Sequence, residues 1–234
     1  MSLALYAHPF SSYSQKVLTA LYENATPFEL RVLDGSPAID QEFEALWPVK
    51  RMPLLRDGAR TVVEATIIIE HLAVHHAGPV RLIPEDAAQA VDVRFMDRFF
   101  DNYVMTPMQA IVFDRRRPPE QRHAPTVAEA RAALETAYRW LDERMAGREW
   151  AAGDAFSLAD CAAAPSLFYA DWAHPIAAGF ANAVAYRKRL LARPSVVRAV
   201  DEARPFRAYF PLGAPDRAAA SRLRQINMPA RADA

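Results

Sequence analysis

The chain has a single cysteine, Cys161, and no excess of charge of either sign. One cysteine excludes an intramolecular disulfide framework and a cysteine-rich metal site, and it fits a reducing compartment, so we expect a cytoplasmic protein. Lysine plus arginine and aspartate plus glutamate each number 28, which gives a formal net charge of zero. No overall field attracts nucleic acid or an anionic membrane, and we expect neither as a partner.

Long hydrophobic runs are also missing. No apolar stretch approaches the roughly 18 residues that a membrane-spanning helix needs, so we expect no span. The first residues lead directly into Leu3-Ala4-Leu5-Tyr6 without a charged segment before a long apolar one, and we expect no secretory signal. With 234 residues, of which 52% are hydrophobic, the chain can bury the core of one large domain or two small ones.

The first 78 residues have the pattern of a thioredoxin-like α/β domain. The apolar run at 3–7 indicates a short buried strand, and Phe28, Leu30 and Val32 alternate as in a second strand. These two strands flank a helical spacing, which predicts a βαβ unit. Asp57-Gly58 between two further apolar runs is a hairpin turn signal. The predicted strands lie at 3–7, 28–33, 52–56 and 61–63. One predicted helix follows the serines near residue 12, and two more lie at 40–46 and 65–76.

Residues 79–85 are predicted to be a linker, residues 86–213 an all-α domain, and residues 214–234 a polar tail. Two capping boxes mark helix starts in this domain, Thr126-Val127-Ala128-Glu129 and Ser157-Leu158-Ala159-Asp160. The predicted helices lie at 86–114 with a bend at Pro107, from Thr126 to Met145, from Ser157 onward, and at about 181–192 and 195–203.

Two short motifs point to a site that binds a small peptide. Pro53 opens an apolar strand, and the Met52-Pro53 step is of the one type for which a cis peptide bond is common. A cis bond would turn the backbone of Met52 toward a cleft, where it could pair with a bound peptide. An ordinary proline at a strand edge is the alternative.

Glu64 lies where a strand passes into a helix. The free amide groups at a helix start suit a carboxylate ligand, and a neighbouring glutamate could hold an ammonium group. On its own, however, Glu64 is explained better by its interaction with the helix dipole.

A serine cluster between the first strand and the first helix is the candidate reactive centre. Ser11, Ser12 and Ser14 lie at the predicted helix start, together with Tyr13. A free thiol has a pKa of about 8.5, and a hydroxyl that donates to the sulfur beside a helix N-terminus would favour the thiolate. Helix capping explains one of these serines but does not need three.

The run Ser11-Ser12-Tyr13-Ser14-Gln15-Lys16-Val17 resembles the serine motif of zeta-type and related glutathione transferases. The resemblance extends over nearly the whole chain and implies the two-domain glutathione transferase fold, with glutathione as co-substrate and a homodimeric assembly. It implies that Ser11 activates the glutathione sulfur, with Ser12 as the alternative. Ser14 stands where thiol-transferring relatives keep the second cysteine of a Cys-x-x-Cys pair.

The remaining motifs match the family at the residues that bind glutathione. Met52-Pro53 corresponds to the family's cis-proline, Lys50 to a residue that reaches the glycyl carboxylate, and Glu64 to the acidic member of a Glu-Ser pair. Ala65 departs from that pair because a hydroxyl donor to the γ-glutamyl carboxylate is lost, and Thr66 comes one residue too late. Such a loss weakens binding by about 1.5–3 kcal/mol rather than abolishing it.

These motifs predict an enzyme that adds the glutathione thiolate to a hydrophobic electrophile or isomerises such a substrate. The alternative is a non-catalytic binding module on the same scaffold, which the departure at Ala65 favours. The residues expected to line the second-substrate pocket are His8, Tyr103, Met108 and Tyr169.

Three further residue types were weighed and set aside. Tyr6, a rival sulfur activator, lies inside an apolar strand, and Cys161 lies in an alanine-rich helix, so core packing explains both. His71, His75 and His76 have a spacing that could ligate a metal, but we expect that no carboxylate or cysteine completes a set. We therefore expect no metal.

Overall fold

The computed structural model describes residues 3–215, which form two domains. The N-terminal domain has a small sheet flanked by helices, in the order β1 (Leu3–Ala7), α1 (Ser12–Glu23), β2 (Phe28–Val32), α2 (Pro37–Leu46), β3 (Leu54–Asp57), β4 (Arg60–Val63) and α3 (Ala65–His75). Each predicted element of this domain is present, and its limits agree with the sequence pattern to within three residues.

The sheet is mixed, with the strand order β2-β1-β3-β4. Strand β1 pairs in parallel with β2 and antiparallel with β3, and β3 pairs with β4 through the Asp57-Gly58 hairpin. Gly58 has a φ of 58°, a left-handed conformation that glycine adopts without steric cost. This is the thioredoxin-like arrangement that the βαβ-α-ββα order predicts.

The second domain is helical, as predicted. Its α-helices are α4 (Ala87–Phe99), α5 (Thr106–Arg116), α6 (Ala124–Arg144), α7 (Leu158–Ala173), α8 (Ala181–Leu190) and α9 (Pro194–Ala203), with 3₁₀ turns at Pro119–Gln121 and Arg204–Tyr209. One apolar core continues from α1 and α3 into α4 and α7, so the two domains share a packed interface. The tail expected from residue 214 lies almost wholly outside the described residues. Within residues 3–215, every helix is too short or too polar to cross a membrane.

Helices α4 and α5 are the two halves of the single helix predicted over 86–114, and a π-helical segment, Phe100–Met105, joins them. The segment ends just before Pro107, which has no amide hydrogen to donate to the carbonyl of Tyr103. The predicted irregularity near Pro107 therefore takes the form of a widened turn, a feature often found at functional sites.

Helix α6 begins at Ala124, before the predicted capping box. His123 is the N-cap, and its Nδ1 accepts a hydrogen bond from the Thr126 amide at 3.3 Å. The interpretation of Thr126 as the cap is therefore wrong. Pro125 supplied the missed signal, because proline is favoured in the first turn of a helix.

The second capping box is confirmed, and it ties together the centre of the helical domain. The Asp160 carboxylate accepts hydrogen bonds from the Ser157 amide at 2.9 Å and from the Ala151 amide at 3.0 Å. It also accepts from the Tyr186 hydroxyl at 2.5 Å. Because Asp160 is fully buried, each of these donors depends on it for a partner.

Replacing this carboxylate is predicted to destabilise the whole domain. In Asp160→Ala, two amides and the hydroxyls of Ser157 and Tyr186 lose their buried acceptor, and we expect the free energy of unfolding to fall by at least about 3 kcal/mol. The control is Asp86→Ala, which removes an exposed N-cap that accepts from the Gln89 amide, and we expect it to cost about 1 kcal/mol. Urea denaturation measures both, and equal losses would contradict a central role for Asp160.

Candidate active site

A cleft of about 930 Å³ lies between the two domains. Its volume is within the range of small-molecule binding sites. One wall comes from the β1–α1 loop, the segment before β3 and the start of α3, and the other from α4, the π segment, α5 and α7. Of the predicted site residues, the cleft brings together Ser11, Ser12, Lys50, Met52, Pro53, Glu64, Ala65, His8, Met108 and Tyr169.

The N-terminus of α1 opens into this cleft. Ser11 is the N-cap, and its Oγ accepts a long hydrogen bond of 3.4 Å from the Ser14 amide. The Ser11 hydroxyl therefore keeps its hydrogen for a ligand. The first amides of a helix have no carbonyl partner within it, and their partial positive charge favours an anion at this position.

Tyr13 also lines the cleft, one residue after Ser12. Burial raises the pKa of Tyr13 to about 12, so its phenol stays protonated at neutral pH and can donate a hydrogen bond. In the sequence, this tyrosine stands out only as part of the serine motif.

Ser14 does not belong to the site. It is fully buried on the inner face of α1 and is not among the residues that line the cleft, so its position does not support the expected role in binding. The reason is helical periodicity, since a residue three positions after the N-cap points toward the core that α1 shares with α7. Tyr6 is buried against Phe43, which agrees with core packing.

The Met52-Pro53 peptide bond is cis, as the motif predicts, and both residues line the cleft. Lys50 and Arg51 lie beside them and place two cations at this end. The Lys50 ammonium lies 2.7 Å from the Glu44 carboxylate in an exposed pair, which a ligand anion can displace at little cost.

Glu64 is the N-cap of α3 and has a φ of 69°, which is unusual for a residue other than glycine. Lys50 shares this left-handed conformation with a φ of 57°. Such strain costs about 1–3 kcal/mol and concentrates at binding sites. The exposed Glu64 side chain makes no capping bond to its own helix, so it is available to a ligand in the cleft.

Ala65 follows Glu64 on the cleft wall, and Thr66 does not replace the missing hydroxyl. The Thr66 Oγ1 accepts from the Lys16 ammonium at 2.9 Å and donates to the Asp97 carboxylate at 2.8 Å. It is therefore occupied inside the protein.

Sequence reasoning missed Arg98 and Asp101, which line the cleft from α4 and the π segment. The Arg98 guanidinium contacts the Thr66 Oγ1 at 2.5 Å, beside the start of α3, and the Asp97 carboxylate at 2.7 Å. The Asp101 carboxylate lies 2.9 Å from the buried Lys16 ammonium. Burial raises the pKa of Asp101, and the charge of Lys16 offsets part of that effect.

A signal for these residues was present in the sequence. Asp97, Arg98 and Asp101 interrupt an aromatic-rich helix with charges at positions i, i+1 and i+4. Charged side chains at such spacing share one helix face, and in a buried helix they need a partner. Lys16 on α1 is that partner, with its ammonium 2.5 Å from the Asp97 carboxylate.

Three of the four residues expected to form the second-substrate pocket, His8, Met108 and Tyr169, line the cleft, and their role there stays a prediction. Met108 is a buried apolar wall, and the Tyr169 hydroxyl donates to the Phe10 carbonyl at 2.9 Å. Burial lowers the pKa of His8, whose Nδ1 accepts from the Phe10 amide at 3.1 Å, so the neutral ring carries its hydrogen on Nε2. Tyr103, the fourth, is 59% exposed and is not among the residues that line the cleft.

The segment after α9 also borders the cleft, which the sequence analysis did not foresee. Tyr209, Phe210 and Pro211 line it, and Phe210 is buried against Tyr169 and Trp172. This apolar segment extends the pocket beside His8.

The expectation that no carboxylate completes a metal ligand set with the histidines of α3 is wrong. The His71 Nε2 and the His76 Nε2 lie 2.9 Å and 2.7 Å from one oxygen of Asp57, at the β3–β4 turn. A carboxylate therefore does complete a set, and it comes from a neighbouring element rather than from the same helix. This cluster lies outside the cleft.

Comparison with known families covers both domains. The sequence matches the family model described as the N-terminal domain of glutathione S-transferase over residues 5–80, and the one described as the C-terminal domain of glutathione S-transferase over residues 104–194.

Individual relatives agree with these matches. The chain is 31% identical over 165 residues to the glutathione S-transferase-like protein LUC7 of a Fusarium species, covering 69% of this chain and 72% of that protein. It is 26% identical over 171 residues to the maleylacetoacetate isomerase of Rattus norvegicus, covering 71% and 77%. A Methylobacterium radiotolerans glutathione S-transferase, crystallised with glutathione sulfonate, aligns with a TM-score of 0.73 at 28% identity, covering 86% and 95%. The chain therefore belongs to the glutathione S-transferase family.

Proposed function

We propose that the protein binds glutathione across the cleft and uses Ser11 to hold its sulfur as a thiolate, which then attacks a hydrophobic electrophile. The observation that carries the proposal is the position of Ser11, whose hydroxyl lines the cleft at the N-terminus of α1. Family membership supports glutathione as the co-substrate.

The charges along the cleft suit the two ends of glutathione. Its glycyl carboxylate would lie by Lys50 and Arg51, next to the cis-proline. Its γ-glutamyl end carries an ammonium group and a carboxylate, which would lie by Glu64 and by the free amides at the start of α3. The Arg98 Nε and Nη2 are bonded to Thr66 at this same helix start, to Asp97 and to Asp101, and we propose that the remaining nitrogen, Nη1, replaces the donor that is lost at Ala65.

Sulfur activation follows from the N-terminus of α1. The Ser11 Oγ already accepts from the Ser14 amide, which makes its own hydrogen a better donor. A thiolate at this position accepts that hydrogen and interacts favourably with the helix dipole. Each unit by which the thiol pKa falls corresponds to about 1.4 kcal/mol.

In a transferase reaction, the thiolate forms a bond to an electrophilic carbon, and the leaving group takes the electron pair. In an isomerase reaction the thiolate adds to a double bond, the adduct rotates about the bond that is now single, and the thiolate leaves unchanged as the double bond re-forms. Similarity to a maleylacetoacetate isomerase supports the second possibility. The apolar wall of Met108, Val112 and Phe113 favours a hydrophobic substrate in either case.

A non-catalytic binding module is the second candidate, and Ala65 is the residue that favours it. Binding of glutathione without turnover in the assay described next would support this candidate. We also propose a cytoplasmic location, in keeping with the one buried, reduced Cys161.

Ser11→Ala tests the proposed role of the hydroxyl. Loss of a hydrogen bond to a charged sulfur costs about 1.5–3 kcal/mol, so we expect kcat/KM with a chloronitrobenzene electrophile to fall about 10- to 100-fold. Ser12→Ala, on the same turn, should lose much less.

The control for lost helix capping is Asp86→Ala, which removes an N-cap of the same kind outside the cleft. It should lower the unfolding temperature as Ser11→Ala does and leave turnover unchanged. Unchanged turnover in Ser11→Ala, or an equal loss in Ser12→Ala, would contradict the assignment of Ser11.

Arg98→Ala tests whether the Arg98 guanidinium replaces the hydroxyl donor that is lost at Ala65. We expect the KM for glutathione to rise about tenfold with kcat changed much less, because the half-exposed guanidinium binds the γ-glutamyl carboxylate and takes no part in the chemistry. With 4-aminobutyryl-cysteinyl-glycine, which lacks that carboxylate, Arg98→Ala and the parent protein should show the same KM. Arg116→Ala, which removes another arginine of the cleft wall, is the control. A penalty that persists with the truncated peptide would contradict the role of Arg98.

We further propose a homodimer formed through the exposed aromatic surface of α4, the π segment and α6. Phe95, Tyr103 and Trp140 are 45%, 59% and 36% exposed and connect through Phe99 into one patch. We expect Phe95→Glu to convert a dimer to a monomer in sedimentation velocity, whereas Val184→Glu, at an exposed apolar position on α8, leaves it dimeric. A monomeric parent protein would contradict this assembly.

A further inference from the structure

The strongest unassigned feature is the cluster of Asp57, His71 and His76, at the opposite end of the β3–β4 hairpin from Pro53. Three potential ligand atoms, one from each residue, all lie within 4.8 Å of one another. Both imidazoles direct Nε2 at the same carboxylate oxygen. The side chains are 14%, 8% and 27% exposed, so the cluster is largely enclosed but open on one side.

Local structure explains why these atoms meet. Asp57 is the last residue of β3, at the tight turn into β4. His71 lies on the last turns of α3, and His76 follows the end of that helix with a φ of −139°, so the chain has left the helical path. The turn and the helix end therefore approach each other from two separate elements, which the spacing of histidines alone does not reveal.

We propose that Asp57, His71 and His76 form a binding site for a divalent transition-metal ion of the zinc class, with solvent in the fourth position. Two imidazoles and one carboxylate are a frequent ligand set for zinc, with bonds of about 2.0–2.1 Å. A tetrahedral ion with such bonds separates its ligand atoms by about 3.3 Å. The two short separations, 2.7 Å and 2.9 Å, would need to widen by only about half an ångström to reach that value.

The surrounding charges favour a cation there. Helix α3 ends at His75, and the partial negative charge of a helix C-terminus lies within its last turn. Asp57 adds a formal negative charge. Arg60, on the neighbouring strand β4, is engaged elsewhere, since its guanidinium donates to the Nε2 of His75 at 3.2 Å. That bond occupies the lone pair of His75 and leaves this histidine outside the ligand set.

The cluster is separate from the cleft. Asp57 lies four strand residues beyond Pro53, about 13 Å along β3, and His71 lies about 10.5 Å along α3 from Glu64. A bound ion would fasten the hairpin to α3 at the end remote from the cleft. We therefore expect metal binding to raise thermal stability and to leave glutathione-dependent turnover unchanged.

The experiment titrates the chelator-treated full chain with Zn²⁺ by calorimetry, and with Co²⁺ by visible absorption as a probe of tetrahedral coordination. We expect one ion per chain and a higher unfolding temperature with zinc. Asp57→Asn, His71→Gln and His76→Gln should each weaken binding by at least about tenfold. The matched control is His75→Gln, on the same turn of α3, which should bind as the parent protein does.

Unfolding of each variant in the presence of chelator distinguishes the loss of a metal ligand from misfolding. The titration of a variant can be interpreted when that variant is as stable without metal as the parent protein. Absence of a saturable one-to-one event in the parent protein would overturn the proposal, and so would binding that survives in His71→Gln and His76→Gln combined. A loss of binding in His75→Gln equal to that in His71→Gln would also overturn the assignment of ligands.

Discussion

The site depends on a buried ionic cluster that joins three helices. Lys16 of α1 is almost completely buried, and its ammonium contacts Asp97 and Asp101 from the α4 side and Thr66 from α3. An isolated charge in such a position would be very costly, so each member needs the others. The cluster therefore fixes the N-terminus of α1, the N-terminus of α3 and the π segment relative to one another, and all three line the cleft.

Two helix N-termini facing one cleft explain how a neutral protein can bind an anionic peptide. In the proposed complex, the start of α1 offers its amides and the Ser11 hydroxyl to a sulfur anion, and the start of α3 offers its amides to a carboxylate. Formal charge enters locally, through side chains such as Lys50, Arg51, Glu64 and Arg98. The overall charge balance of the chain is therefore compatible with strong local fields, because the fold concentrates dipoles and a few charges at one place.

The sequence predicts the elements well because local patterns determine them. Short apolar runs and the alternation of Phe28, Leu30 and Val32 identified the strands, Asp57-Gly58 identified the hairpin, and Ser157 with Asp160 identified the start of α7. Ser11, Pro53 and Glu64 each belong to a short motif, and all three line the cleft. The sequence does not predict the placements that depend on long-range contacts. Ser14 turns into the core, Tyr103 faces outward from a π segment, Arg98 reaches across to α3, and Asp57 meets histidines on another element. The position of a residue along the chain does not determine these contacts, since they depend on how separate elements pack.

The account rests on the claim that the start of α1 stabilises a sulfur anion. The most direct test is a pH titration of the ultraviolet absorbance of thiolate in the glutathione complex of the unmodified protein. The account predicts a thiol pKa at least about one unit below the value of about 8.5 that is typical of a free thiol. A bound thiol that titrates at or above that value would contradict it.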